Sequence, residues 1–178
     1  AQQTDLAKSY CTGDWLLYLQ ADEVLHETQL DKIKASCQKE YTNTQVQGFV
    51  LDYIHFWGDY QHQVKAHSWY RKEIRIIRNL PEIHSWQSAQ SFRWINDFDG
   101  KSYRKKEGTK RLQVKSIPGI QVFHYGWVRP PELMTRKMNA LDKIHSHKQE
   151  RFNEPFDYGD LSKLEEYRGS HPACMQKR

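Results

Sequence analysis

Three features of this 178-residue chain predict an α/β fold with a mixed sheet flanked by helices. An apolar run, Trp15 to Leu19, reads as a fully buried strand, and two adjacent acids, Asp22 and Glu23, follow it. A helix pattern comes next, with Thr28 and Asp31 as a capping box and Leu30, Ile33, Cys37 and Tyr41 on one apolar face. Later segments are short and strand-like until Pro130-Pro131 opens a second long helix.

Taken in order, residues 1–11 read as an amphipathic helix carrying Asp5 and Lys8, and 14–19 as the first strand. The acids then stand in a strand-to-helix turn, and a helix covers about 28–41, ending near Thr42-Asn43-Thr44. Gly48 to Phe56 reads as a strand, followed by a loop with Gly58, Asp59 and Tyr60. Trp69 to Arg78 is strand-like, and Ile76-Ile77 breaks its alternation, so both faces are expected to be covered. Leu80-Pro81 ends it. Extended pieces follow at 83–87 and 91–95, then a turn at Asn96 to Gly100, a strand at Arg111 to Lys115 and a short buried strand at Ile120 to Phe123. The Pro-initiated helix runs to about Gln149, with Leu133, Met134, Met138, Leu141 and Ile144 as its apolar stripe. The organisation is a domain over 1–150 and a polar tail over 151–178 with one short helix near Leu161 to Arg168.

Bulk properties narrow the function classes. The length allows one domain with a proper core, and no apolar run is long enough to span a membrane. Cys11, Cys37 and Cys174 are widely spaced and form no C-x-x-C pair, which argues against a disulfide framework or zinc site and for a reducing cytoplasm. A net charge of +5 and a pI near 9.0 suit an anionic partner. Part of that charge is the run Arg104, Lys105, Lys106, Lys110 and Arg111, read as a solvated hairpin.

A carboxylate at the carboxyl end of a sheet strand can hold a hard divalent cation, which in turn holds a diphosphate. The segment Gln20-Ala21-Asp22-Glu23-Val24-Leu25 resembles the metal-binding Asp-x-Asp region of family 2 glycosyltransferases, with Gln20 in place of the first acid. Gln121-Val122-Phe123-His124-Tyr125-Gly126-Trp127 is similar to the same family's late strand with a His, followed by a basic helix. Trp69 to Asn79 looks like its Arg-rich strand, and Gly169 to Met175 like its usual ending. The resemblance implies a GT-A-like (Rossmann-like) mixed sheet flanked by helices and incomplete at the N-terminus: the first nucleotide-binding βαβ units would precede Ala1.

What the resemblance implies for the site is specific. Asp22 and His124 are expected to ligate Mn²⁺ or Mg²⁺, since imidazole suits Mn²⁺ and carboxylate and phosphate oxygens suit either ion. Gln20, Glu23, Arg75, Arg78 and Trp127 are expected at the substrate, the arginines facing the diphosphate or an acceptor. Their competing role is surface ion pairing with Glu73 or Glu82. The base has no assigned residue: the loop around Ser88, where an acid is expected, holds none, and Glu82 is the nearest acid. Trp57, Tyr60, Trp69, Trp86 and Trp127 are sugar-stacking platforms or core groups. His145 and His147, two residues apart, point to different sides of a helix and make a poor metal pair.

The function this predicts is metal-dependent transfer of a sugar from a nucleotide-diphosphate donor to an acceptor that the sequence does not specify. The alternative is a basic nucleic-acid-binding module without catalysis, motivated by pI and aromatic content, although no nucleic-acid motif is present. A third expectation is a fragment without activity by itself, whose exposed sheet edge gives a route to self-association.

Overall fold

The structure, a computed structural model, describes residues 1–65, 69–87, 91–146 and 153–176. It is mixed α/β. In chain order the elements are α1 (Gln2–Ser9), β1 (Trp15–Leu17), β2 (Glu23–Leu25), α2 (Leu30–Lys39), β3 (Gly48–Trp57), β4 (His62–Val64), β5 (Lys72–Arg78), β6 (Ile83–Trp86), β7 (Ser91–Ile95), β8 (Thr109–Arg111), β9 (Val114–Trp127), α3 (Pro131–Ser146) and β10 (Glu165–Glu166). Two compact units share these elements: Ala1–Ala21, Leu25–Tyr53 and Tyr70–Val122 form the first, and Asp22–Val24, Ile54–Trp69 and Phe123–Arg178 the second.

In the first unit β1 pairs antiparallel with β5, Trp15 opposite Arg78, and β5 pairs antiparallel with β3, Gly48 opposite Ile77. Phe49, Leu51, Ile76, Ile120 and Val122 form its main core, closed by Ile33 from α2. A separate antiparallel sheet, β6-β7-β8, covers a second cluster of Ile77, Ile83, Phe92 and Leu112. In β5, Arg75, Ile76, Ile77 and Arg78 are all buried, so both faces of this strand are covered, as its broken alternation predicts. Asp5 anchors α1 to β6: its carboxylate accepts from the Ser85 backbone N–H at 2.7 Å and meets the His84 ring at 2.8 Å. The basic run at 104–111 is exposed around the β7–β8 connection, a solvated hairpin as expected.

In the second unit the end of β3 pairs with β4, and β4 with β10, all antiparallel. Ile54, Phe56, Phe123 and Tyr125 make its core, with the Phe56 and Tyr125 rings stacked at 4.8 Å. α3 contributes Met134, fully buried.

Several expectations are corrected. β1 is a three-residue strand rather than a buried one through Leu19: Trp15 and Leu16 are half-buried, Leu17 is exposed, and its partner β5 is antiparallel. The acids do not lead straight into a helix, because Glu23 begins β2 and helical turns start only at Glu27. Thr28 is not the cap. His26 is, its Nδ1 accepting from the Thr28 N–H. The pieces expected at 111–115 and 120–123 belong mainly to one 14-residue strand, β9. The loop at Gly58, Asp59 and Tyr60 is present and leads into β4, a strand not expected there, and the tail supplies β10 and a 3₁₀ turn (Leu161–Lys163) instead of a short helix. Leu133 and Ile144 are exposed, so the buried stripe of α3 is narrower than five residues. Ser88, His147 and the end expected for the long helix at Gln149 lie outside the described residues, as does the His145 side chain. No helix among the described residues is long and apolar enough to cross a membrane.

Candidate metal centre

Backbone pairing assembles the site within the second unit. The Tyr125 N–H of β9 donates to the Asp22 carbonyl at 2.8 Å, which sets the turn before β2 beside the last residues of β9. Alternation along β9 then places His124 and Gly126 on the same face. Asp22 Oδ2 and His124 Nε2 stand 3.7 Å apart. That is too long for a hydrogen bond. It is close to the roughly 3.0–3.6 Å that two ligands of one cation keep between them.

Gly126 supplies the space. A methyl group at this position would stand 2.5 Å from Asp22 Oδ2 and 2.6 Å from His124 Nε2, so glycine lets both side chains close on the strand here. A carboxylate oxygen and an imidazole nitrogen are donor types that a divalent cation takes. Among the described residues no three His, Cys, Asp or Glu side chains converge, so phosphate and water oxygens would complete the shell.

Charge around the pair is ordered. Lys137 of α3 brings its ammonium to 3.5 Å from Asp22 Oδ2 and donates to the Gly126 carbonyl at 2.6 Å. The His124 imidazole, and after it the Lys137 ammonium, hold the Asp22 carboxyl down at about 2, against the desolvation that raises it. Burial pulls Lys137 below its ordinary value, with Asp22 working in the opposite sense. Behind His124 lies a second imidazole: His55 Nδ1 meets His124 Nδ1 at 2.9 Å, both rings buried. One of these two nitrogens must carry a proton and the other must not.

Aromatic groups flank the site. The Trp57 and Trp127 rings stack at 5.0 Å, Trp69 meets Trp127 at 5.4 Å and His55 at 4.9 Å, and the Lys137 ammonium sits 5.5 Å over Trp127. Trp127 is thus half-buried beside the candidate ligands but packed on other rings. Trp86 is core, with Arg93 over its ring. Tyr60 packs against the Phe56–Tyr125 core.

The remaining predicted residues fall elsewhere. Glu23 is buried at the start of β2. Gln20 is half-buried in the stretch after β1. Arg75 is fully buried in the first unit, its guanidinium 5.3 Å over both the Tyr18 and Tyr53 rings. Arg78 donates to the carbonyls of Val46, Glu40, Tyr41 and Asn43 and lies 4.3 Å over Trp15. Those carbonyls end α2 and the turn after it, so the occupation of Arg78 is structural. Glu82 is half-buried in the turn before β6, in the first unit.

His55, Gly126 and Lys137 escape a reading of the sequence alone, although each leaves a trace. His55 is a lone imidazole in an apolar strand, Lys137 interrupts the stripe of α3, and Gly126 sits between two aromatic residues two positions after His124. No protein-family model matches the chain, and no curated protein matches it either.

Proposed function

We propose that the chain carries the cation-binding part of a glycosyltransferase that moves a sugar from a nucleoside-diphosphate donor to a hydroxyl acceptor. The observation that carries this reading is the meeting of Asp22 Oδ2 and His124 Nε2 at 3.7 Å, packed against Gly126. Their likeness to two separate anchors of family 2 glycosyltransferases supports it, because the anchors lie 102 residues apart by their numbers, 124 less 22, and yet come together.

In that reaction the anomeric C–O bond to the diphosphate breaks, an acceptor oxygen forms the new bond, and the hydroxyl proton passes to a base. The principal electrostatic demand is the negative charge that develops on the leaving diphosphate. Mn²⁺ or Mg²⁺ would be held by Asp22 and His124 and would neutralise that charge as a Lewis acid. Lys137 places a positive charge beside Asp22, where it balances the carboxylate and adds to the positive field that an incoming phosphate would meet. Asp22 ionises well below neutrality, so it is fully charged at working pH.

Calorimetric titration with UDP and with GDP, each with and without Mn²⁺, tests the reading. Wild-type chain is expected to bind at least one of them only when Mn²⁺ is present, and Asp22→Asn is expected to lose that binding by at least tenfold. Equal nucleotide binding with and without Mn²⁺, or by both proteins, contradicts it.

A further inference from the structure

We propose that His55 is the positioning residue of the cation site, accepting the Nδ1–H of His124 when a cation binds so that the Nε2 lone pair of His124 faces the ion in place of the Nε2–H that faces Asp22 without it. The inference rests on the assignment of Asp22 and His124 as ligands.

The geometry leaves two arrangements. His55 and His124 meet Nδ1 to Nδ1 at 2.9 Å, and that bond needs one proton between two ring nitrogens. If His55 donates, neutral His124 carries its own proton on Nε2, and this proton occupies the space between Nε2 and Asp22 Oδ2. If His124 donates, Nε2 is bare and can give its electron pair to an ion shared with Asp22 Oδ2, 3.7 Å away. Only the second arrangement admits a cation. A ligating imidazole commonly gives its other N–H to a neighbouring acceptor, which fixes both its tautomer and its orientation. Here the acceptor is a second histidine.

The surroundings hold His55 ready for that task. It is 3% exposed, on β3 in the core of the second unit, and its ring packs on Trp69 at 4.9 Å and edge-on to His124 at 5.0 Å. Two neutral imidazoles exchange tautomers without a net change in proton number, so the pair can supply the bare Nε2 without placing a charge in the core. A phenylalanine at 55 keeps the ring and its packing but removes the acceptor. An asparagine keeps a hydrogen-bonding group near the Nδ1 position.

The test uses the full chain with three readouts. Mn²⁺ affinity is measured by the loss of the free-ion electron paramagnetic resonance signal for wild type, His55→Phe and His55→Asn. Thermal melting of each protein confirms folding, and ¹⁵N–¹H correlation of the imidazoles in saturating Mg²⁺ reports the tautomers. The expected result is a 10- to 100-fold loss of affinity in His55→Phe, within the range typical of such supporting partners, and recovery to within about threefold of wild type in His55→Asn. The His124 proton is expected on Nδ1. Equal Mn²⁺ affinity in wild type and His55→Phe, or a proton on His124 Nε2 with Mg²⁺ bound, overturns the role of His55 while leaving the ligand assignment standing. Absence of Mn²⁺ binding in wild type overturns both. Should His55→Phe fail to fold, the tautomer readout on wild type and the affinity of His55→Asn decide: a tenfold or greater loss in His55→Asn overturns the proposal.

Discussion

At the scale of single residues, Gly126 and Asp22 make the sharpest claims. Gly126→Ala would push a methyl into the two donor atoms, which are the ends of side chains and can swing aside at a cost of about 1–3 kcal/mol. The variant is therefore expected to fold, to melt a few degrees lower, and to lose Mn²⁺ binding at least tenfold, because the methyl drives the two donors apart; binding at wild-type strength would show that their present closeness is not used. Asp22 supplies a pH signature. Its carboxyl titrates at about 2 in the folded chain, below the ordinary value of about 3.9 that the unfolded chain restores. A depressed acid contributes stability that is complete above the unfolded value and is lost as the pH falls through the folded one. Roughly 2 kcal/mol should thus disappear between about pH 4 and pH 2. Urea unfolding across this window should show that part of the acid limb in wild type and a flatter one in Asp22→Asn. Parallel curves would contradict the burden placed on His124 and Lys137.

The elements show why such placements are possible. β9 is long because Ile117, Ile120, Val122, Phe123 and Tyr125 can be buried by its neighbours, and its last residues carry His124 and Gly126 together. α2 ends against Arg78, whose guanidinium donates to four carbonyl oxygens at and after the helix end, two of which, those of Glu40 and Asn43, also accept a backbone N–H of the turn. Arg78→Met keeps much of the stem but takes from the Val46 and Tyr41 carbonyls the guanidinium donor they have here, and from those of Glu40 and Asn43 one of two donors. A destabilisation of roughly 2–4 kcal/mol is expected by chemical denaturation, with Mn²⁺ binding by the folded fraction retained. Loss of binding with stability intact would move Arg78 from support to substrate.

For the whole molecule, the sequence made the buried strands and helices legible where apolar periodicity was strong. The burial of β5 on both faces, the two strands at 83–86 and 91–95, and the helix opened by Pro130-Pro131 could all be read directly. The depth of β1 could not, because Trp15, Leu16 and Leu17 look like core while their actual cover depends on distant partners. Pairing direction was equally hidden: β1 and β5 are antiparallel, and nothing local to Trp15–Leu17 encodes it. In the site, Asp22 and His124 were legible as types of ligand with a resemblance behind them. Their supporting groups were not, since His55 and Lys137 acquire meaning only from distances of 2.9 and 3.5 Å across the fold. Arg78, read as a substrate contact, is buried and donates to carbonyls at the end of α2, a role that no local pattern announces.

The central claim is that Asp22 and His124 hold one divalent cation between them. Pulsed electron paramagnetic resonance of Mn²⁺ bound to the wild-type chain tests it most directly, because a coordinated imidazole imposes a ¹⁴N modulation on the signal. The account predicts a modulation from one directly bound nitrogen that vanishes in His124→Ala, together with a fall in Mn²⁺ affinity of at least tenfold in Asp22→Asn. Bound Mn²⁺ without nitrogen modulation, or a modulation unchanged in His124→Ala, would contradict it.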